Sequence, residues 1–307
     1  MLQIMMLEQK IKKFSEKISS KIQLNYNLKN LNWFNIGGKA KVFFKCENLN
    51  DLSLFLKEFR SEKNILVLGA GSNILFSDNL YDGAVIKLGK NFSNISLLPN
   101  DVIVAGAAVT DKKLSDFALE NEIGGFEFLS CIPGTIGGGL KINSGCYGRE
   151  FKDILASIQV IDREGIIRTI PSSKIKLSYR KSSLEKNFIF LSASFKGYNR
   201  KKKEIEKEIK FLKKKKEISQ PSKIKTGGST FKNPLDQTDK KVWELIQRSV
   251  PLDISFGDAS ISNKHCNFLV NKGNATFNDM KNLVEYIQKN VKSKTGVSLE
   301  PEIEIVD

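Results

Sequence analysis

Three glycine-rich segments and one arginine carry the chemical content of this chain. Cys131-Ile132-Pro133-Gly134-Thr135-Ile136-Gly137-Gly138-Gly139 runs on to Asn143-Ser144-Gly145-Cys146-Tyr147-Gly148, six glycines within eighteen residues. Glycine has no side chain to pack and loses the most backbone freedom on folding, so this density argues against a helix or strand interior. It suits a backbone lying directly against a phosphate or a flat cofactor. Upstream, Asn64-Ile65-Leu66-Val67-Leu68 reads as a buried strand running into Gly69-Ala70-Gly71-Ser72-Asn73. A strand followed by GxG hints at a dinucleotide fingerprint, but Ile74 stands where a third glycine belongs and no long helix follows. The segment reads as a tight turn or as a phosphate loop of another kind, its amides near Ser72 and Asn73 aimed at a pyrophosphate. Downstream, Thr226-Gly227-Gly228-Ser229-Thr230-Phe231-Lys232-Asn233-Pro234 presents Ser229 beside a cation and an amide. That is either a polar turn or a site for proton donation and anion binding. Arg180, in Leu177-Ser178-Tyr179-Arg180-Lys181-Ser182, is a surface residue at a strand end or a clamp for a carboxylate or phosphate.

These segments must be held by a scaffold, and its elements can be read in outline. Short strand-like runs dominate up to about Tyr198: Ala40 to Cys46, Ile65 to Leu68, Ala84 to Leu88, Val102 to Ala105, Ala156 to Ile161 and Asn187 to Phe195. Ile166 to Ile170 pairs with the fifth of these across Arg163-Glu164-Gly165. One helix starts near Thr110 and places Leu114, Phe117 and Ala118 on one face. Beyond a boundary near residue 198 the pattern changes. A lysine-rich helix over Arg200 to Lys216 carries Ile205, Ile209 and Leu212 on one face, and helices follow over Asp239 to Val250 and Asn278 to Val291. A last strand, Leu299 to Val306, turns Glu300, Glu302 and Glu304 to one side.

Composition narrows the function classes. At 307 residues the chain has room for two or three domains, and 40% hydrophobic content is ordinary for a globular protein. No apolar run approaches the ~20 residues of a membrane span. The N-terminus spaces Leu7, Ile11, Phe14, Ile18 and Ile22 as a helix without a signal peptide's apolar core, which predicts a cytoplasmic protein with reduced cysteines. Four cysteines without CxxC spacing and a single histidine predict no metal site. The net charge of +15 invites a nucleic-acid reading, but the lysines are interspersed with glutamates and no basic stretch carries interleaved aromatics. A solvated basic face, or attraction of an anionic small molecule, explains them better.

Taken together, the motifs resemble the UDP-N-acetylenolpyruvoylglucosamine reductases, from about Leu28 to the C-terminus. The resemblance rests on Trp33-Phe34-Asn35-Ile36-Gly37-Gly38, the segments around Gly69, Gly134 to Gly148 and Ser229, Tyr179-Arg180-Lys181-Ser182, Gln220-Pro221 and Leu299-Glu300-Pro301-Glu302, all in order. It implies an α+β fold with a two-part FAD-binding domain of the vanillyl-alcohol-oxidase type, also called PCMH, over residues 25–198. A smaller α+β substrate-binding domain over 199–307 and a helical extension over 1–24 complete it. It further implies non-covalent FAD, NADPH as co-substrate, and UDP-N-acetylglucosamine-enolpyruvate reduced to UDP-N-acetylmuramate for peptidoglycan synthesis. A monomer without nucleic-acid or membrane partners is expected.

The resemblance also implies site residues. FAD would lie along Gly69, Ala70, Gly71, Ser72 and Asn73, and along Ile132, Pro133, Gly134, Thr135, Gly138, Asn143, Gly145, Tyr147 and Gly148. Arg180 would clamp the enolpyruvyl carboxylate, Glu302 would assist it, and Ser229 would deliver the proton. Tyr179, Lys216, Lys232, Asn233 and His265 would touch substrate, His265 having a structural role as its alternative. Lys213 to Lys216 stand where the family usually has an arginine, which puts bidentate phosphate binding there in doubt. The segment between Arg180 and Gln220 resembles the shorter family type, without the tyrosine-bearing insertion. Two other classes remain open: a flavin oxidase or dehydrogenase on the same scaffold, and a non-catalytic nucleic-acid-binding protein.

Overall fold

The computed structural model describes residues 2–185 and 187–307. Contacts divide the chain into two compact units. One comprises Met1–Tyr26, Lys41–Ala70 and Asp82–Lys215; the other gathers Asn27–Ala40, Gly71–Tyr81 and Lys216–Asp307. The chain therefore enters the second unit three times. No helix among the described residues is long and apolar enough to cross a membrane.

The first unit is built on two sheets. One has the strand order Lys21–Asn27, Lys39–Cys46, Tyr81–Leu88, Ile65–Val67, with the last two parallel. Its buried residues Val42, Phe44, Ala84 and Ile86 share a core with Phe14 of helix α1 (Leu2–Ser15) and Phe55 of α2 (Leu49–Glu58). Phe44 and Phe55 stack at 4.5 Å between ring centroids. The N-terminal helix is shorter than the spacing predicts: it ends at Ser15, and Ile22 lies on a strand. The reason is Asp51, whose carboxylate accepts from the backbone and hydroxyls of Ser19 and Ser20 and fixes a turn there.

The second sheet is antiparallel, in the order Ile167–Pro171, Leu155–Ile161, Ile189–Lys196, Val102–Gly106, Ile95–Leu98. The predicted helix after Thr110 is present as α3 (Asp111–Glu120), with the Thr110 hydroxyl accepting from the Lys113 amide at 3.2 Å as its N-cap. Its Leu114 and Ala118 pack in the sheet's core with Ile136 and Leu140 of α4 (Ile136–Lys141). This last helix corrects the sequence reading, because Gly137, Gly138 and Gly139 lie inside it. Packing explains the exception. A Cβ on Gly139 would stand 2.5 Å from the Phe151 ring, and one on Gly137 would be 3.2 Å from Ala107 Cβ. The lysine-rich helix is α5 (Lys202–Ser219), with Ile205, Ile209 and Leu212 buried. Arg200, just before it, is held by Glu127 at 2.8 Å and Glu208 at 2.5 Å.

In the second unit, α6 (Val242–Ser249) and α7 (Phe277–Thr295) share a core with Ala259, Ile261 and Leu269 of a three-stranded antiparallel sheet. α7 starts on a capping box of Thr276 and Asp279 and ends at Gly296, whose φ of 76° is the left-handed cap that glycine favours. Phe34, Ile36 and Leu75, far away in sequence, complete this core. The predicted last strand is shorter than expected: only Glu304–Val306 forms one, parallel to Ile74–Phe76. Pro301 has no N–H to donate, and the Glu302 amide is taken by the Thr230 carbonyl at 2.7 Å.

Candidate active site

A cavity of about 610 Å³ opens in the first unit. The strand Ile65–Val67 leads straight into Gly69 and Ala70, which form part of its wall. Thr135 and Gly138 form another part. A Cβ on Gly69 would lie 2.5 Å from Thr135 Oγ1, so these two walls touch closely through a residue without a side chain. A Cβ on Gly138 would meet only Thr135 Oγ1, at 3.5 Å, so the backbone there faces open space. Four of the residues expected around a cofactor, Gly69, Ala70, Thr135 and Gly138, thus come together.

The cavity is strongly basic. Lys87, Lys141, Arg163, Arg180 and Lys181 line it, against a single carboxylate, Glu185. Lys87 donates to the Gly69 carbonyl at 2.5 Å, and burial pushes its pKa down, so its charge lacks compensation within the wall. Sequence reasoning missed Lys87, Lys141 and Arg163. Lys87 carried a signal, being the one cation in the apolar run Ala84 to Leu88.

Arg180 sits at the turn of a short hairpin, Leu177–Ser178 against Lys181–Ser182, with a φ of 52°. Such a conformation is uncommon outside glycine and marks a constrained site. Its Nη2 donates to the Gly145 carbonyl at 3.0 Å, and its guanidinium lies 5.1 Å from the Tyr179 ring centroid. Asn143 and Tyr147 also have positive φ, 46° and 52°, as does Gly148 at 81°. The Tyr147 ring carries Lys215 Nζ 4.9 Å from its centroid. Ile132, Pro133, Gly134, Asn143, Gly145, Tyr147 and Gly148 are not among the residues lining the cavity. Gly134 packs on Asp111, a wholly buried carboxyl; burial holds its pKa well above the usual range, with the Gly134 backbone acting the other way.

The remaining expected residues lie in the second unit, whose own geometry gathers several of them. Gly71 has a φ of 70°, and a Cβ there would fall 2.0 Å from the Leu31 carbonyl, so only glycine fits. Ser72 occupies the following turn. Asn73 donates to the Glu302 carbonyl at 3.0 Å and accepts from the Glu304 amide at 2.9 Å. Ser229 pairs with Phe268 in an isolated antiparallel bridge, beside Gly228 at a φ of 81°. Thr230, the next residue, is the one that binds the Glu302 amide, so Ser229 and Glu302 lie on adjacent backbone segments. Lys232 pairs with Glu300 at 2.5 Å. Asn233 Oδ1 accepts from the Val242 amide at 3.0 Å, opening α6. His265 Nδ1 accepts from the Asn267 amide at 3.2 Å, and burial lowers its pKa, so it is neutral near pH 7 and serves its own turn. Lys216 lies on α5.

Residues 40–170 match the FAD binding domain, and residues 220–306 match the C-terminal domain of UDP-N-acetylenolpyruvoylglucosamine reductase. The UDP-N-acetylenolpyruvoylglucosamine reductase of Pelagibacter ubique (strain HTCC1062) is 65% identical over 298 residues, covering 97% of this chain and 99% of that protein. This chain belongs to the UDP-N-acetylenolpyruvoylglucosamine reductase family. The reductase of Orientia tsutsugamushi (strain Boryong) is 41% identical over 293 residues, covering 94% of this chain and 96% of its own. The crystal structure of the reductase from Thermus caldophilus superposes with a TM-score of 0.79 at 29% identity, covering 94% of this chain and 99% of that one. The chain is therefore an oxidoreductase and a flavoprotein.

The first unit fits FAD on its own terms. Five cations and one carboxylate line the cavity, a balance that suits a diphosphate, and the open backbone at Gly138 admits close approach of a ligand.

Proposed function

We propose that this chain reduces the enolpyruvyl ether of UDP-N-acetylenolpyruvoylglucosamine to UDP-N-acetylmuramate, using NADPH and non-covalent FAD, in peptidoglycan precursor synthesis. The observation that carries this reading is Arg180, a preset guanidinium on the wall of the same cavity as Gly69 and Gly138. Within residues 25–198, Gly69 to Asn73 and the Ile132 to Gly148 segment, Asn143 apart, would hold FAD, with Lys87 supplying positive charge for its diphosphate; residues 199–307 would bind the UDP-sugar.

Bound FAD supplies the two-electron transfer from NADPH to the vinyl group. As the vinyl group accepts those electrons, negative charge builds on the carbon bearing the carboxylate. Arg180 holds that carboxylate with its planar fork and stabilises the growing charge, aided by Glu302. Ser229 Oγ gives its proton to the carbon and recovers one from solvent; its high intrinsic pKa is no obstacle against so basic an acceptor. Tyr179, Lys216, Lys232 and Asn233 orient the substrate, and His265 supports the turn beside it. The substrates are soluble nucleotides, in keeping with a cytoplasmic enzyme; that it acts as a monomer without membrane or nucleic-acid partners is part of the same proposal.

The test is direct. Purified protein should be yellow, release FAD on acid precipitation, and convert the enolpyruvyl substrate with NADPH into a product heavier by two hydrogens in mass spectrometry. Colourless protein after FAD addition, or flavin left on the precipitate, would count against the assignment.

A further inference from the structure

Asn143 occupies a constrained position near Arg180. It is wholly buried, and its φ of 46° places it in the left-handed region. Every polar atom of its side chain is engaged. Nδ2 donates to the Ser178 carbonyl at 3.0 Å and to Glu150 Oε2 at 3.0 Å, and Oδ1 accepts from the Lys152 amide at 3.0 Å. Two acceptors on one side and one donor on the other are satisfied by a carboxamide and by neither a carboxylate nor an alkyl group.

The two ends of this network meet Arg180 from both sides. Ser178 pairs with Lys181 across the hairpin that presents Arg180. At the other end, Gly145, two residues after Asn143, offers the carbonyl that receives Arg180 Nη2 at 3.0 Å. Asn143 thus ties the base of the Arg180 hairpin to the segment against which the guanidinium rests. Glu150 is itself held by Lys152 at 2.7 Å and pairs with Gly145 in the short ladder of that segment.

We propose that Asn143 is a positioning residue for Arg180 and not a flavin contact. Its amide presets the hairpin so that the guanidinium needs no rearrangement when a carboxylate arrives. The inference rests on the reading of Arg180 as the group that holds the enolpyruvyl carboxylate.

The experiment is a double-mutant cycle on the holoenzyme with Asn143→Gly, which tolerates the backbone conformation, and Arg180→Lys. Four quantities are read: FAD affinity, flavin reduction by NADPH, flavin reoxidation by substrate, and amide hydrogen exchange over residues 177–182. In Asn143→Gly, FAD affinity and the NADPH step should stay within about 2-fold, as for independent sites. Reoxidation should slow by roughly 10-fold or more, and exchange in the hairpin should quicken, as expected within one hydrogen-bonded network. In the Arg180→Lys background the same change should add almost nothing. Asn143→Ser serves the cycle should the glycine variant not be recovered. Loss of flavin, or an effect of full size in the Arg180→Lys background, would overturn the inference. Arg180→Lys enzyme reoxidised at the normal rate would overturn the reading of Arg180 itself, and this inference with it.

Discussion

Ser229 and Glu302 lie on adjacent backbone segments joined through Thr230. Ser229→Ala should leave flavin reduction by NADPH intact, because no proton from Ser229 enters that step. Turnover of the enolpyruvyl substrate should fall by about 10²–10⁴-fold, as for a lost general acid. A variant with near-normal product formation and a lowered melting temperature would make Ser229 a turn residue. Lys87 lines the cavity beside Gly69. Lys87→Met should weaken FAD binding by roughly 10- to 100-fold, the loss of one hydrogen bond to a charged group, measured by fluorescence titration of the apoprotein. Unchanged affinity would restrict Lys87 to supporting the Gly69 carbonyl. Asp111 gives a pH prediction. Burial raises its folded pKa above the unfolded value of about 4, so the folded state binds the extra proton and stability falls as pH rises through that interval. Asp111→Asn should therefore raise the melting temperature at neutral pH, with the gain disappearing near pH ~4. A constant difference across pH would contradict a buried neutral carboxyl.

The elements around the site separate glycines that sequence alone treats alike. Gly138 faces the cavity, whereas a Cβ on Gly139 would strike the Phe151 ring at 2.5 Å. Gly138→Val should give folded but colourless protein. Gly139→Ala should lower stability by about 1–3 kcal/mol through overpacking, with flavin affinity of the folded fraction little changed. Thermal melts with and without FAD distinguish them, and equal behaviour would mean that α4 does not divide in this way. The regular elements were legible because their signals are local. Leu114 and Ala118 repeat at helical spacing behind a threonine cap, and Ile158 and Val160 alternate along a strand. The helix Ile136–Lys141 was not, because the neighbours that leave no room for side chains at Gly137 and Gly139, Ala107 and Phe151, lie outside the helix.

Across the whole molecule the limit of sequence reading is long-range closure. Phe34, Ile36 and Leu75 share a core with Leu283 and Ile287, a partnership that no periodicity near residues 27–40 or 71–81 records. The glycine-rich motifs marked their segments as unusual, since backbone conformation is written into residue type at Gly71 and Gly228. The tether of the Arg180 hairpin through Asn143 is not, because its partners lie 35 residues apart in the chain. Lys141 and Arg163 became visible only when the fold placed them around one cavity with Lys87. The central claim joins that cavity to the enolpyruvyl reaction, and one anaerobic stopped-flow experiment tests it. NADPH should bleach the flavin band, and UDP-N-acetylenolpyruvoylglucosamine added afterwards should restore it with one equivalent of UDP-N-acetylmuramate formed. Flavin that NADPH bleaches but this substrate leaves reduced would contradict the account.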